Sequence, residues 1–183
     1  AGVWKPAAKS LGVAVLDVEG DGWPDLAVAH DTQPNLLYVN RGRGDGRGDG
    51  PPNVTFEESG VLTGMAFSET GAARGGMGID AADFNASGRQ SLVIGNFSNE
   101  LLSLYHNEGA GFFIDAAPTS GVGRQSLLTL AFGTFFLDFD LDGHPDIFVG
   151  NGHVENEIQK VQQQVAYAQV PHLFRNQRDG RFI

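Results

Sequence analysis

Short apolar runs recur along this chain, and each is cut by glycine, proline or aspartate before it reaches helical length. Gly12-Val13-Ala14-Val15-Leu16 is followed, after a polar interval, by Leu26-Ala27-Val28-Ala29. Gly133-Thr134-Phe135-Phe136-Leu137 and Ile147-Phe148-Val149-Gly150 repeat the arrangement further on. Runs of about four to eight residues rich in Val and Phe, bounded by turn residues, predict buried strands. A second set of apolar runs ends in asparagine: Leu36 to Asn40, Leu102 to Asn107, and His172 to Asn176. Phe-containing strands follow the first two, at Val54-Thr55-Phe56-Glu57 and Gly111-Phe112-Phe113-Ile114. One segment departs from the pattern. Between Val154 and Ala168, Ile158, Val161 and Val165 recur at i, i+3 and i+7 among Glu, Gln and Lys, which predicts a short amphipathic helix.

The polar intervals between paired runs carry the chemistry. Asp17-Val18-Glu19-Gly20-Asp21-Gly22-Trp23-Pro24-Asp25 and Asp138-Phe139-Asp140-Leu141-Asp142-Gly143-His144-Pro145-Asp146 place acidic residues at positions 1, 3, 5 and 9, with glycine at 6. Alternate residues of a tight loop aim their oxygens at one centre, and the glycine permits the bend. The backbone carbonyl at position 7, from Trp23 or His144, completes a shell of hard oxygens, so ligand type and spacing point to calcium. An EF-hand needs a bidentate Glu at position 12 and flanking helices. Position 12 is Val28 or Val149 and the flanks are strands, so the loop belongs to a strand–loop–strand hairpin.

Aligning on these loops exposes a third copy, at Asp83-Phe84-Asn85-Ala86-Ser87-Gly88. It keeps oxygen ligands at Asp83, Asn85 and Ser87 but has Ser91 at position 9, leaving one formal charge. Because calcium selectivity depends on charge count, this loop is expected to be metal-poor or empty. Each copy therefore comprises a hairpin, a strand ending in asparagine and a Phe strand, and the first two close on Ser59-Gly60-Val61 and Ser120-Gly121-Val122. About four short strands in each period of some 60 residues is the signature of a β-propeller blade. The units fall roughly at 3–61, 62–122 and 123–183.

These units resemble FG-GAP/VCBS repeats, the blades of integrin-α-type propellers. Asn151-Gly152-His153-Val154 and the ending Leu173-Phe174-Arg175-Asn176-Gln177-Arg178-Asp179-Gly180-Arg181-Phe182 are similar to the cartilage-acidic-protein-like branch often labelled ASPIC/UnbV. The resemblance implies an all-β, partial propeller of about three four-stranded blades, with calcium held in blade hairpins and one helical insertion. It does not imply an enzyme. A propeller closes with roughly 4–8 blades. The expectation is thus a fragment of one propeller domain, or a chain that completes its ring by association.

Composition narrows the function classes. The net charge is −10, and eight of the carboxylates lie in the two complete loops, so two bound Ca²⁺ would leave −6. No basic stripe suits nucleic acid, and no apolar stretch approaches the ~18–20 residues of a membrane span. With no cysteine, disulfides and thiolate chemistry are excluded. Weak calcium sites of ~10⁻⁴–10⁻³ M fill outside the cytosol, which favours a secreted, cell-surface or periplasmic protein.

No catalytic constellation is visible. A catalytic metal keeps an open position beside a base or nucleophile, whereas these loops supply four carboxylates and a carbonyl and recur from unit to unit, as a structural clamp would. His30 and His153 follow equivalent strands but lie two units apart, without a metal-type spacing. Two Arg-Gly-Asp triplets, Arg43-Gly44-Asp45 and Arg47-Gly48-Asp49, fall in a Gly-rich insertion, and sequons begin at Asn53, Asn85 and Asn96. The reading is a calcium-bound module for protein or glycan ligands. Its alternatives are a non-catalytic subunit whose neighbours cover open blade edges, and part of a carbohydrate- or lipid-active enzyme with its catalytic residues elsewhere. Val154, Ile158, Val161 and Val165 of the insertion are the candidate partner contact.

Overall fold

Leu16 pairs with Asp25 at the end of two antiparallel strands, Ser10–Leu16 (β1) and Asp25–His30 (β2), so the first acidic interval is a hairpin turn. The computed structural model of the protein describes residues 8–43 and 54–183. Within them the chain forms three antiparallel meanders. The first continues through Leu36–Arg43 (β3) to Val54–Glu58 (β4). The second contains Ile79–Ala82 (β5), Ser91–Ile94 (β6), Ser103–Gly109 (β7) and Phe112–Asp115 (β8). The third contains Ala131–Leu137 (β9), Asp146–Asn151 (β10) and His172–Phe174 (β11). The repeat predicts four strands in each. The third sheet has three, and an isolated bridge between Asn176 and Phe182 stands where the fourth would begin.

Strand β6 of the middle sheet is buried on both faces, and its alternate residues divide between them. Leu92 and Ile94 of β6 pack with Ala14, Leu16, Ala27 and Leu37 of the first sheet. Val93, between them, packs with Ile147, Val149 and Phe174 of the third. The leading strands β1, β5 and β9 run beside one another through this stack. Their approach is so close that only glycine fits. A Cβ on Gly12 would lie 2.2 Å from the Met77 carbonyl oxygen, and one on Gly78 would lie 2.0 Å from that of Phe132.

The connections carry what little helix there is. Ala117–Ser120 (α1) and Val122–Ser126 (α2) follow β8 as single turns around Gly121, whose φ of 97° places it in the left-handed region. The predicted helix between Val154 and Ala168 does not form. A 3₁₀ turn, Ile158–Lys160, is the helical element there. Ile158 and Val165 are buried anchors, whereas Val154 and Val161 project into solvent. Side-chain hydrogen bonds hold the segment in place of a helical ladder. Asn99 Nδ2 donates to Gln162 Oε1 (2.7 Å), Asn151 Nδ2 to the Val170 carbonyl (2.9 Å), and Leu130 N to Gln169 Oε1 (2.9 Å). The insertion thus packs on its own and the neighbouring unit, at the end of β10 opposite its acidic loop. The Arg-Gly-Asp triplets and the sequon at Asn53 extend into residues outside the described ones. Asn96 is buried, with its amide donating to the Leu101 carbonyl and to Ser103 Oγ.

Candidate metal centre

The turn between β9 and β10 gathers Asp138, Asp140 and Asp146 so that one carboxylate oxygen from each lies within 4.8 Å of the others. Oxygens around one Ca²⁺ sit at about 2.3–2.6 Å from it, so a pair on opposite sides is separated by roughly 4.6–5.2 Å. Three hard oxygens at this spacing suit that ion. The loop is pre-folded by its own first residue. Asp138 accepts hydrogen bonds from Asp142 N (3.0 Å) and Gly143 N (2.9 Å), and Gly143 has the positive φ such a bend requires. Asp142, expected at position 5, is not among the three. Its carboxylate accepts from His144 N at 2.9 Å and from the Arg178 guanidinium at 2.7 Å, which holds the carboxyl below its ordinary pKa. His144 is therefore seen as an amide donor within the turn.

The first loop has the same backbone design. Asp17 accepts from Gly20 N, Asp21 N and Gly22 N at 2.8–3.1 Å, and Asp21 accepts from Trp23 N at 2.9 Å. Its carboxylates do not close to a three-way cluster as those of the third loop do. Glu19 is engaged elsewhere. Both of its oxygens accept from Arg41 Nη1, at 2.9 and 3.0 Å, and Arg41 Nε reaches Glu57 as well.

In the middle loop, Asp83 accepts from Ser87 N and Gly88 N, at 2.9 and 2.7 Å. Asn85 Nδ2 meets His106 Nε2 at 2.7 Å, and His106 Nδ1 lies 2.8 Å from Glu108. Asn85 Oδ1 is buried without a hydrogen-bond donor, an acceptor that a cation would satisfy.

The position-9 aspartates do more than offer ligands. Asp25 accepts from Val18 N (2.8 Å) and Asn40 N (2.7 Å), and Asp146 from Phe139 N (3.2 Å) and Asn176 N (2.7 Å). Asp25 thereby ties the start of its loop to β3, and Asp146 ties its own to the segment just beyond β11. Burial pushes the Asp25 carboxyl up, backbone hydrogen bonds oppose this, and Asp17 and Asp21 add to the rise. A divalent cation would relieve that concentration of negative charge.

The strand-ending asparagines then link one unit to the next. Asn107 Nδ2 donates to the Gln90 carbonyl of its own loop and to the Val18 carbonyl of the preceding loop, both at 3.2 Å. Asn176 Nδ2 does the same with Pro145 (2.9 Å) and Phe84 (2.7 Å). Loop geometry and inter-unit packing are thereby coupled.

Sequence reasoning missed the arginines. Arg175 Nε donates to Asp140 Oδ2 at 2.9 Å, so two guanidinium groups face the third loop. It also missed Arg74, which is buried with Asp115 at 2.7 Å and donates to Ser103 Oγ. These partners lie 29 to 41 residues apart in sequence, where no spacing motif reaches. The histidines take local roles. Ser10 Oγ lies 3.0 Å from His30 Nε2, and His153 Nδ1 accepts from Glu155 N while its ring stands edge-on to Phe97. Among the described residues, neither joins a cluster of metal-type ligands.

Comparison with known proteins agrees with this architecture. The FG-GAP-like repeat matches residues 17–94 and 83–149, spans that contain the hairpins and the loops between them. The chain is also 30% identical over 148 residues to cartilage acidic protein 1 of Homo sapiens, an alignment covering 76% of this chain and 20% of that protein. Among the described residues no helix is long and apolar enough to cross a membrane. With its tandem acidic hairpins, meander sheets and matched repeats, the chain belongs to the FG-GAP-like repeat family.

Proposed function

We propose that the chain is a calcium-binding, non-catalytic β-repeat module of a secreted, cell-surface or periplasmic protein, and that its calcium is structural. The carrying observation is the convergence of Asp138, Asp140 and Asp146 on one centre. Asp146 also bonds the backbone of Asn176, just beyond the third strand, and the Asn176 side chain grips the preceding loop. A cation at the centre would screen the carboxylates and stiffen the hairpin from which these bonds radiate. Its binding free energy would then add to folding free energy. The third loop is the primary site. The first is a second site that requires Glu19 to leave Arg41, and the middle loop, with Asn85 Oδ1 to offer, is the weakest.

A module of this kind presents the loops between sheet strands to a protein or glycan. The insertion at 152–171, with Val154 and Val161 projecting from it, is the surface we assign to that contact. A second reading is a permanent subunit of a larger assembly. The exposed Leu11, Val13 and Val15 on one face of the first sheet favour it.

Isothermal titration calorimetry of chelator-stripped protein tests the calcium reading. Ca²⁺ should bind at sub-millimolar to millimolar concentration, with Mg²⁺ far weaker because it demands near-octahedral geometry and retains its waters. Asp140→Asn should weaken the stronger site. Absence of Ca²⁺ heat in the unmodified protein, with the fold intact by circular dichroism, would overturn it.

A further inference from the structure

The insertion at 152–171 turns a run of glutamines outward. Ile158 and Val165 are its buried anchors. Two backbone bonds shape the chain between them: Gln162 N donates to the Ile158 carbonyl at 2.7 Å, and Val165 N to the Gln162 carbonyl at 3.0 Å. With both anchors pinned inward, Gln163 and Gln164 are left exposed and Gln162 half-buried. Asn99 of the second unit completes the wall. Its φ of 69° lies in the left-handed region, which asparagine tolerates better than most residues. Asn99, Val161 and the three glutamines line an open cleft of about 660 Å³, within the roughly 300–1,000 Å³ of ligand pockets.

The chemistry of this lining is narrow. Every lining side chain but Val161 is a carboxamide, and none is charged. Glu157 and Lys160, which precede the glutamines, pair with each other. Asn99 Nδ2 donates to Gln162 Oε1, which orients both amides and leaves Asn99 Oδ1 to accept and Gln162 Nε2 to donate. Gln163 and Gln164 make no side-chain hydrogen bond among the described residues. Two buried groups beside the cleft also lack partners. His153 packs edge-on against Phe97, and Ser98 joins Phe97 to Asn99 in the chain. Ser98 and His153 are 5% and 7% exposed, and neither Ser98 Oγ nor His153 Nε2 has a hydrogen-bond partner. Because His153 Nδ1 accepts from Glu155 N, the proton of the neutral ring sits on Nε2, a donor without an acceptor. Tyr167, whose carbonyl accepts from His153 N at 2.9 Å, is half exposed next to it.

We propose that this cleft binds an uncharged glycan, recognised through its hydroxyl groups. A sugar hydroxyl both donates and accepts, as the row of carboxamides does, and the C–H face of a sugar ring suits the exposed ring of Tyr167. A charged ligand finds no counter-ion in this lining. An apolar peptide anchor would cover the carboxamides without satisfying them, which is costly. The proposal names the ligand of the surface assigned above to a protein or glycan and rests on that assignment. It does not rest on calcium, because the insertion follows β10 whereas the acidic loop precedes it, at the other end of the strand.

The test applies the full chain, in saturating Ca²⁺, to an array of neutral, sialylated and sulfated oligosaccharides, followed by calorimetry on the strongest binder. Neutral glycans should be retained, with little effect of added salt. Gln163→Ala and, separately, Gln164→Ala should each weaken binding about three- to tenfold, the loss of a single neutral hydrogen bond. The melting temperature should not change, because both side chains are exposed and unbonded. A chain that takes up Ca²⁺ but retains no neutral glycan would overturn the proposal, leaving the calcium reading intact and the surface to a protein. Retention of charged glycans alone, or an affinity indifferent to both glutamine variants, would overturn it as well. Glutamine-dependent glycan binding by a chain that gives no Ca²⁺ heat would uphold the cleft and remove the calcium reading instead.

Discussion

Asn176 donates its side-chain amide to the Phe84 carbonyl at 2.7 Å, across the boundary between the third and second sheets. The same nitrogen donates to Pro145 of its own loop, while its backbone amide donates to Asp146. One residue therefore joins a strand end, its own acidic hairpin and the preceding one. Asn176→Leu would leave the Phe84 and Pro145 carbonyls and the Arg178 amide without this partner. Each unsatisfied buried group costs about 1–3 kcal/mol, so urea unfolding should show a loss of at least that size. A loss below measurement error would mean that the inter-unit bond is not formed in solution.

Gly78 tests the close packing of the leading strands. A methyl group there would press on the Phe132 carbonyl at 2.0 Å, and backbone cannot swing aside as a side-chain tip can. Gly78→Ala should destabilise by about 1–3 kcal/mol or more, read from thermal or urea unfolding. Equal stability would mean that the second and third sheets lie too far apart for this contact.

Arg74 and Asp115 make a buried pair whose breakage should be costly. Asp115 also accepts from Leu104 N and Ala117 N. Removing one partner of such a pair typically costs about 3–5 kcal/mol, because the other charge is left uncompensated. Arg74→Met should show that loss near neutral pH.

The pH dependence of that variant has a definite sign. Burial raises the Asp115 carboxyl above its ordinary 3.8, and the Arg74 guanidinium is the largest opposing influence. Without Arg74 the folded-state value moves higher still. A raised carboxyl pKa means that folding takes up a proton, so its stabilisation is fully present below 3.8 and is lost as pH rises through the folded value. The stability difference between Arg74→Met and the unmodified protein should therefore be smallest in acid and widen towards neutrality. A difference independent of pH would remove Asp115 from the explanation.

Much of this architecture was legible because it is local. Alternating apolar residues place Leu92 and Val93 on opposite faces of one strand, and the 1, 3, 5, 9 spacing brings Asp138, Asp140 and Asp146 together within a single turn. The illegible parts depend on distance or on competition. Arg41, Arg175 and Arg178 reach the acidic loops from third strands or just beyond them, so their role exists only once the sheet is folded. The Ile158, Val161, Val165 pattern satisfied a helical period, yet helices this short are marginal in water. Two buried anchors and the amides of Asn99 and Asn151 hold the segment without one. Glu19, counted as a ligand by its position, is long enough to pair with Arg41 instead.

The arginines facing the third loop should lower its affinity for a cation. Arg178 engages Asp142 and Arg175 engages Asp140, and a divalent ion approaching these carboxylates meets like charge. Arg178→Ala should tighten Ca²⁺ binding a few-fold in a calorimetric titration at low salt, and added salt should shrink the gain. Weaker binding in the variant would show that Arg178 supports the site rather than competes for it.

The measurement that bears most directly on structural calcium is the melting temperature of the unmodified chain and of Asp138→Asn, each in excess Ca²⁺ and in EGTA. Ligand binding to the folded state alone adds about 2.7 kcal/mol at a hundredfold excess over Kd. The unmodified chain should therefore melt several degrees higher in Ca²⁺ than in EGTA, reversibly, without a matching effect of Mg²⁺. Asp138→Asn should lose most of that difference. Identical melting of the unmodified chain in Ca²⁺ and EGTA would contradict the account.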